Sequence, residues 1–186
     1  NETCCIASAD QQYFVKLNAS NSLQMFEAEA AGLEEIHKTN TLRVPQPICC
    51  DQNDEKSWLV LEYLEMNGSH RAKQAELGAG LAAMHRFHAK QFGWVRNNTI
   101  GLTPQVNSVS TDWVHFWRHY RLGYQLDLAK SNGYTGRLQN SGEQLMACLG
   151  DFFGVSFFKL VAKRVSNTAD SVGQSSSPPP ATITVW

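Results

Sequence analysis

The chain has 186 residues, 42% hydrophobic and 18% charged, with 16 basic against 17 acidic residues and a formal net charge of −1. That length suits one domain or a little more, and the apolar share is enough for a core. The near-neutral balance argues against charge-driven binding to nucleic acid or a membrane surface, and no apolar run approaches the roughly 18 residues of a membrane span.

The first predicted element is Tyr13-Phe14-Val15-Lys16-Leu17, a β-rich run with Tyr13, Val15 and Leu17 on one face and Phe14 and Lys16 on the other. Asn18 to Ser22 supplies turn and cap residues, and Asn21 with Gln24 has capping-box spacing. A helix follows, with Phe26, Ala30, Leu33 and Ile36 or His37 at helical spacing. Val44-Pro45-Gln46-Pro47 is an extended connector, because each proline fixes its own φ and restricts the residue before it. Trp58 to Leu64 is an apolar run of strand length whose composition predicts cover on both faces, running into a turn at Asn67-Gly68.

Three helices are predicted next. Arg71 to His88 carries Leu77, Leu81, Met84 and Phe87 or His88 on one stripe. Thr111 to Lys130 carries Trp113, Phe116, Trp117, Tyr120 and Tyr124. Ser141 to Phe153 carries Leu145, Leu149 and Phe152 and opens on Ser141 with Gln144, again a capping box. Strands, one helix among them, then helices only make an α+β plan with the sheet at the N-terminal end. After Gly154 the pattern fades. Ser166 to Trp186, with its Ser-Pro run, cannot bury enough surface to offset its ordering entropy and reads as disordered.

Five cysteines fall as Cys4-Cys5, Cys49-Cys50 and Cys148, a poor disulfide framework that matches no zinc spacing. Asn1-Glu2-Thr3 lacks the start of a signal peptide, so the sequons at Asn1, Asn18, Asn67 and Asn97 read as chance matches, and a reducing cytoplasmic setting is expected.

Two features could carry chemistry. Lys16 on its strand, with Glu27 and Glu29 on the next helix, has the arrangement in which an ammonium neutralises phosphate oxygens and a carboxylate fixes the ammonium. An exposed lysine between apolar strand neighbours satisfies the same pattern. The strand ending Leu61-Glu62-Tyr63-Leu64 could offer backbone groups to a nucleobase, or could be a core strand running into a turn. Other patterns carry less. Gly78 and Gly80 lie inside a helical run and lack the third glycine and preceding strand of a phosphate loop. His85 and His88 could share a helix face, but no carboxylate or cysteine joins them at metal spacing, and a packed His85 beside a surface His88 accounts for them. The Trp113, Phe116, Trp117, Tyr120 stripe reads as packing. Phe157 to Val161, with Lys163 and Arg164, is too short for an interfacial helix.

Together these pieces resemble the fructosamine kinase (ketosamine-3-kinase) family, of the aminoglycoside-phosphotransferase-like branch of kinases. The segments that carry the resemblance begin with Tyr13 to Asn18, Met25 to Leu33, Val44 to Ile48, Leu59 to Leu64 and Leu77 to His85. They continue with Phe92-Gly93-Trp94, Asn98 to Gly101, Pro104 to Asn107 and Asp112-Trp113 through Arg121-Leu122 to Leu126, about four-fifths of the chain. The resemblance implies an incomplete protein-kinase-like fold: a small β-sheet lobe with one helix over 1–66, a partial all-helical lobe over 67–153, and a tail outside the family pattern over 154–186. It implies ATP and Mg as cofactors and a ketosamine as substrate, with phosphoryl transfer to a sugar hydroxyl that frees the amine; neither nucleic acid nor membrane is implied as a partner. Lys16 is then the phosphate-binding lysine, Glu29 its helix partner ahead of Glu27, and Glu62, Tyr63 and Leu64 the adenine-facing connector.

The family also carries a His-Gly-Asp-Leu-Trp-x-Gly-Asn catalytic loop and a later metal-binding Asp-Pro. None of His37, His70, His85, His88, His115 or His119 has Asp two places on, so no catalytic and no metal-ligating residue is named. Asp151-Phe152-Phe153-Gly154 has one residue too many for a metal-binding Asp-Phe-Gly and falls where a helix end is expected. Only 11 positions separate Cys5 from Lys16, too few for the family's nucleotide loop and a full second strand, and the first strand is expected to be missing; Cys4 and Cys5 would be what remains of a cysteine often found in that loop. The expected product is a truncated, inactive kinase or a pseudokinase-like binding module, with exposed apolar surface and marginal stability.

Overall fold

The computed structural model describes residues 1–8, 10–65 and 71–153. The expected tail and the Asn67-Gly68 turn lie outside the described residues. The chain divides into two units, one ending at Phe87 and the other beginning at His88.

The first unit is built on a four-stranded antiparallel sheet, order β1-β2-β4-β3, from β1 (Glu2–Ala7), β2 (Gln12–Ala19), β3 (Pro47–Gln52) and β4 (Lys56–Glu62). Between β2 and β3 runs α1 (Leu23–Lys38), and α2 (Arg71–Met84) follows β4. β1 corrects the expectation that too few residues precede Lys16 for a full strand there. Its six residues pair one for one with β2, from Glu2 opposite Leu17 to Ala7 opposite Gln12, and Cys4 and Cys5 sit within it rather than in a loop. Just past the paired residues the Ser8 N–H donates to the Gln11 carbonyl at 2.8 Å. β3 has no counterpart in the sequence reading, since its first residue is Pro47 and its Cys-Cys-Asp run lacks strand-like alternation.

Register decides which face of β2 matters. Phe14 lies opposite Leu61 and Lys16 opposite Leu59, so these four share the face that α1 covers. There Phe26 and Leu59, both fully buried, and Leu61 form the core, with Phe14, Met25, Ala30, Leu33 and Cys50 packed against it. Burying each large side chain contributes about 1.5–3 kcal/mol. β4 alternates rather than being buried on both faces: Ser57, Leu59 and Leu61 are buried and Trp58, Val60 and Glu62 half-exposed. The Asn21–Gln24 capping box does not form; a 3₁₀ turn, Ser20–Ser22, leads into α1 without a side-chain cap. α1 ends where Asn40 takes a left-handed φ of 52° and the Thr39 hydroxyl donates to the Ile36 carbonyl at 2.7 Å.

α2 stops at Met84, four residues short of expectation, as its hydrogen bonds tighten to Arg86 N–H on Ala83 O and Phe87 N–H on Met84 O. His85 and His88 therefore share no helix face, and His85 is exposed rather than packed. Of the expected stripe only Met84 is buried; Leu77 and Leu81 are 61% and 42% exposed. Gly80 explains the rotation. A Cβ there would sit 2.7 Å from the Thr41 carbonyl oxygen and 2.6 Å from Leu42 Cδ2, so the helix approaches the 41–42 turn through this glycine and not through its leucines. The glycine serves packing rather than phosphate.

The second unit opens with a hairpin where only helices were expected, β5 (Asn98–Ile100) against β6 (Thr103–Gln105). Then come α3 (Trp113–Trp117), a π-helical segment Arg118–Gly123, α4 (Tyr124–Ser131) and α5 (Arg137–Phe152). Asp112 caps α3, its Oδ1 accepting from Val114 N–H at 2.8 Å and His115 N–H at 3.1 Å. Trp113 packs between Phe92 and Phe116, with ring centroids 5.1 and 5.9 Å away. α5 starts four residues before Ser141, so that capping box is not used, and Asp151 lies in its last turn. On α5 Leu149 is buried, while Leu145 and Phe152 are 39% and 68% exposed.

Candidate functional site

The Lys16 side chain leaves β2 on the α1 face, beside Phe14 and opposite Leu59. The side chain is 19% exposed and paired, unlike a freely solvated surface lysine. Nζ donates to both carboxylate oxygens of Glu29, at 2.6 Å each, and Glu29 is 32% exposed. Of the two glutamates expected near Lys16, Glu29 is therefore its ion-pair partner. Glu29 sits one turn from Phe26 and next to Ala30, both on the core side of α1, so the packing of the helix sets the carboxylate's place.

Glu62 is the last residue of β4, and its backbone pairs with Tyr13. Three residues separate it from Leu59, the partner of Lys16, or about 10 Å along the strand. Its carboxylate turns toward the connector from α1: Oε1 takes the Arg43 guanidinium, and Oε2 accepts the Gln46 N–H at 3.2 Å. The Glu62 N–H in turn donates to the Gln46 carbonyl at 2.8 Å. The Arg43 hydrogen bond holds the Glu62 carboxyl below its ordinary value, and Glu62 raises Arg43. Tyr63, exposed, and Leu64, half-buried, follow β4's last paired residue.

The structure thus joins Lys16 to Glu29, and sets Glu62, Tyr63 and Leu64 at the end of the neighbouring strand. The sequence pattern assigns no site role to Arg43, Gln46 or His37, whose partners lie 9 to 19 positions away with no periodic signal. It also gives no role to Asn107. That side chain, 1% exposed, organises the second unit: Nδ2 donates to Arg96 O at 3.1 Å and Asn98 Oδ1 at 2.8 Å, and Oδ1 accepts from Arg121 at 2.7 Å. Arg121 also donates to Val106 O and lies 4.6 Å over the Phe116 ring, and burial lowers its pKa. Gly93, with φ of 102°, admits the close approach of the Asn107 and Ser108 carbonyls, 2.7 and 2.8 Å from where a Cβ would stand.

A part-buried ammonium held by a fixed carboxylate is chemically suited to phosphate oxygens. Among the described residues no three His, Cys, Asp or Glu side chains converge. No helix among them is long and apolar enough to cross a membrane.

The fructosamine kinase family model matches residues 1–163. A probable ketoamine kinase of Synechocystis is 46% identical over 131 residues, covering 70% of this chain and 44% of that protein. The chloroplastic protein-ribulosamine 3-kinase of Arabidopsis thaliana is 41% identical over 144 residues, covering 76% of this chain and again 44% of that protein. The chain thus spans less than half the length of these two relatives. The solved fructosamine-3-kinase structure from Haemophilus somnus superposes with a TM-score of 0.72 at 27% identity, over 81% of this chain and 52% of that one. A second, from Thermobifida fusca, gives 0.66 at 24% identity. The α+β architecture is accordingly part of a kinase-like fold, and with the family model matched over most of its length the chain belongs to the fructosamine kinase family.

Proposed function

We propose that the chain supplies the nucleotide-holding part of an ATP-dependent kinase for ketosamines, with Lys16 as the phosphate-neutralising group, Glu29 as its orienting carboxylate, and the backbone of Glu62, Tyr63 and Leu64 as the adenine contact. The observation that carries this is the Lys16–Glu29 pair, 2.6 Å to both oxygens and anchored by a helix packed on the strand. The strand partner of Lys16, Leu59, lies about 10 Å along β4 from Glu62, a span that suits a nucleotide lying along the strand. Charge neutralisation and positioning are most of what phosphoryl transfer asks of a protein, but it also needs a residue that orients the acceptor hydroxyl and groups that hold the metal. None of the six histidines has Asp two places on, which favours a second reading for these 186 residues, a nucleotide-binding module without transfer. The family name points to a ketosamine acceptor.

Calorimetry with MgATP tests the nucleotide reading. Wild type binds and Lys16→Met loses at least about ten-fold in affinity; no binding by wild type would sink it. A coupled assay with a fructosyl-amine then separates the two readings. Turnover abolished by Lys16→Met identifies a kinase; binding without turnover identifies the module.

A further inference from the structure

Three elements meet around Glu62. From the connector, Arg43 reaches its carboxylate and also donates to the Val44 carbonyl at 2.6 Å. Gln46 exchanges two backbone-directed bonds with the same residue, N–H to Oε2 at 3.2 Å and O from Glu62 N–H at 2.8 Å. The Gln46 side-chain amide then lies 2.8 and 2.7 Å from the two ring nitrogens of His37, in the last turn of α1. α1 also carries Glu29, eight residues earlier or about 12 Å along its axis. One helix therefore holds the carboxylate of the Lys16 pair at one place and touches, through Gln46, the end of β4 at another.

Arg43 is 58% exposed and Glu62 33%, and an ion pair so open to water contributes little to stability. Its consequence is geometric. The Glu62 N–H to Gln46 bond fixes the end of β4 on one side, as pairing with Tyr13 does on the other, just before Tyr63 and Leu64 leave the sheet, and the Arg43 guanidinium holds the same carboxylate that receives the Gln46 N–H.

We infer that Arg43 is a positioning residue for nucleotide binding: through Glu62 and Gln46 it sets the connector Glu62–Leu64 and ties it to α1. The inference rests on the nucleotide reading above. Because Arg43 acts at the base end, its loss weakens every adenine-bearing ligand alike, whereas loss of Lys16 weakens only ligands that carry the phosphates.

The test measures adenosine and MgATP affinity by calorimetry for wild type, Arg43→Ala, Arg43→Lys and Lys16→Met, with melting temperatures alongside. Arg43→Ala is expected to weaken both ligands by the same factor, about three- to ten-fold, with its melting temperature nearly unchanged, and Arg43→Lys to recover part of the loss. Lys16→Met is expected to weaken MgATP and leave adenosine alone. If Arg43→Ala melts well below wild type, the charge exchange Arg43→Glu with Glu62→Arg is read instead; recovery of affinity above that of Arg43→Glu alone supports the inference, and no recovery overturns it. Unchanged affinity for both ligands in Arg43→Ala, with wild type binding, overturns this inference and leaves the nucleotide reading standing. A wild type that binds neither ligand overturns both.

Discussion

Lys16 and Glu29 stand 13 residues apart in sequence, and the Lys16 ammonium sits 2.6 Å from each oxygen of the Glu29 carboxylate. The pair spans the junction of sheet and helix, so it reports whether α1 is docked. With the two side chains 19% and 32% exposed, solvent screens part of the attraction. Glu29→Gln is expected to keep a hydrogen bond to Lys16 and cost under about 1 kcal/mol in urea unfolding. MgATP affinity should fall several-fold, because the ammonium loses the partner that holds it in place. A variant that lost stability without losing affinity would make the pair a structural fastener only.

The Asn107 hub should be costly to remove. Asn107→Ala removes the partner of the buried Asn98 Oδ1 and two further, part-buried bonds, to the Arg96 carbonyl and from Arg121. Each unsatisfied group costs about 1–3 kcal/mol, more where one is charged, so a loss of at least about 3 kcal/mol is expected in urea titration. Asn107→Asp should be milder, since it keeps the oxygen that Arg121 uses and adds a negative charge beside that cation.

Glu62 sets a pH dependence whose sign follows from its partner. The Arg43 hydrogen bond places its folded-state pKa below the ordinary 4.5. The native state therefore releases this proton more readily than the unfolded chain. The resulting stability is present above about pH 4.5 and is lost as pH falls through the lower folded value. Glu62→Gln should remove that small contribution, so the slight gap in melting temperature between wild type and variant narrows from pH 6 to pH 3. A gap that stays constant over this range would show that the ion pair adds nothing.

The thiols should separate by reactivity. Cys4, Cys5, Cys49 and Cys148 are exposed, whereas Cys50 is half-buried against the Phe26–Leu59–Leu61 core. Burial raises its thiol pKa, and the nearby Glu27 charge adds to this. Less thiolate and less access both slow alkylation. Timed iodoacetamide labelling read by mass spectrometry should find Cys50 modified last. Early labelling of Cys50 would mean that β3 opens readily at the sheet edge.

Periodicity alone determined much of the plan. Tyr13 to Leu17, the Phe26-Ala30-Leu33 stripe and the Trp58 to Leu64 run as far as Glu62 are strand, helix and strand because side-chain period follows backbone geometry locally. Residue types in that order also brought Lys16 forward with Glu27 and Glu29, and the family resemblance put Glu29 ahead of Glu27. Short elements without a period stayed hidden: β3 starts at a proline, and β5 and β6 hold three residues each. Only the tertiary structure decided register, and register put Lys16 on the helix-covered face beside Phe14. It likewise turned α2 on Gly80, leaving Leu77 and Leu81 outward, and gathered His37, Arg43 and Gln46 around Glu62. These contacts join residues far apart in sequence through single polar groups. A hydrogen bond of that kind depends on where two backbones pass, and that position is set by the packing of the whole sheet and helix rather than by any local run of residues.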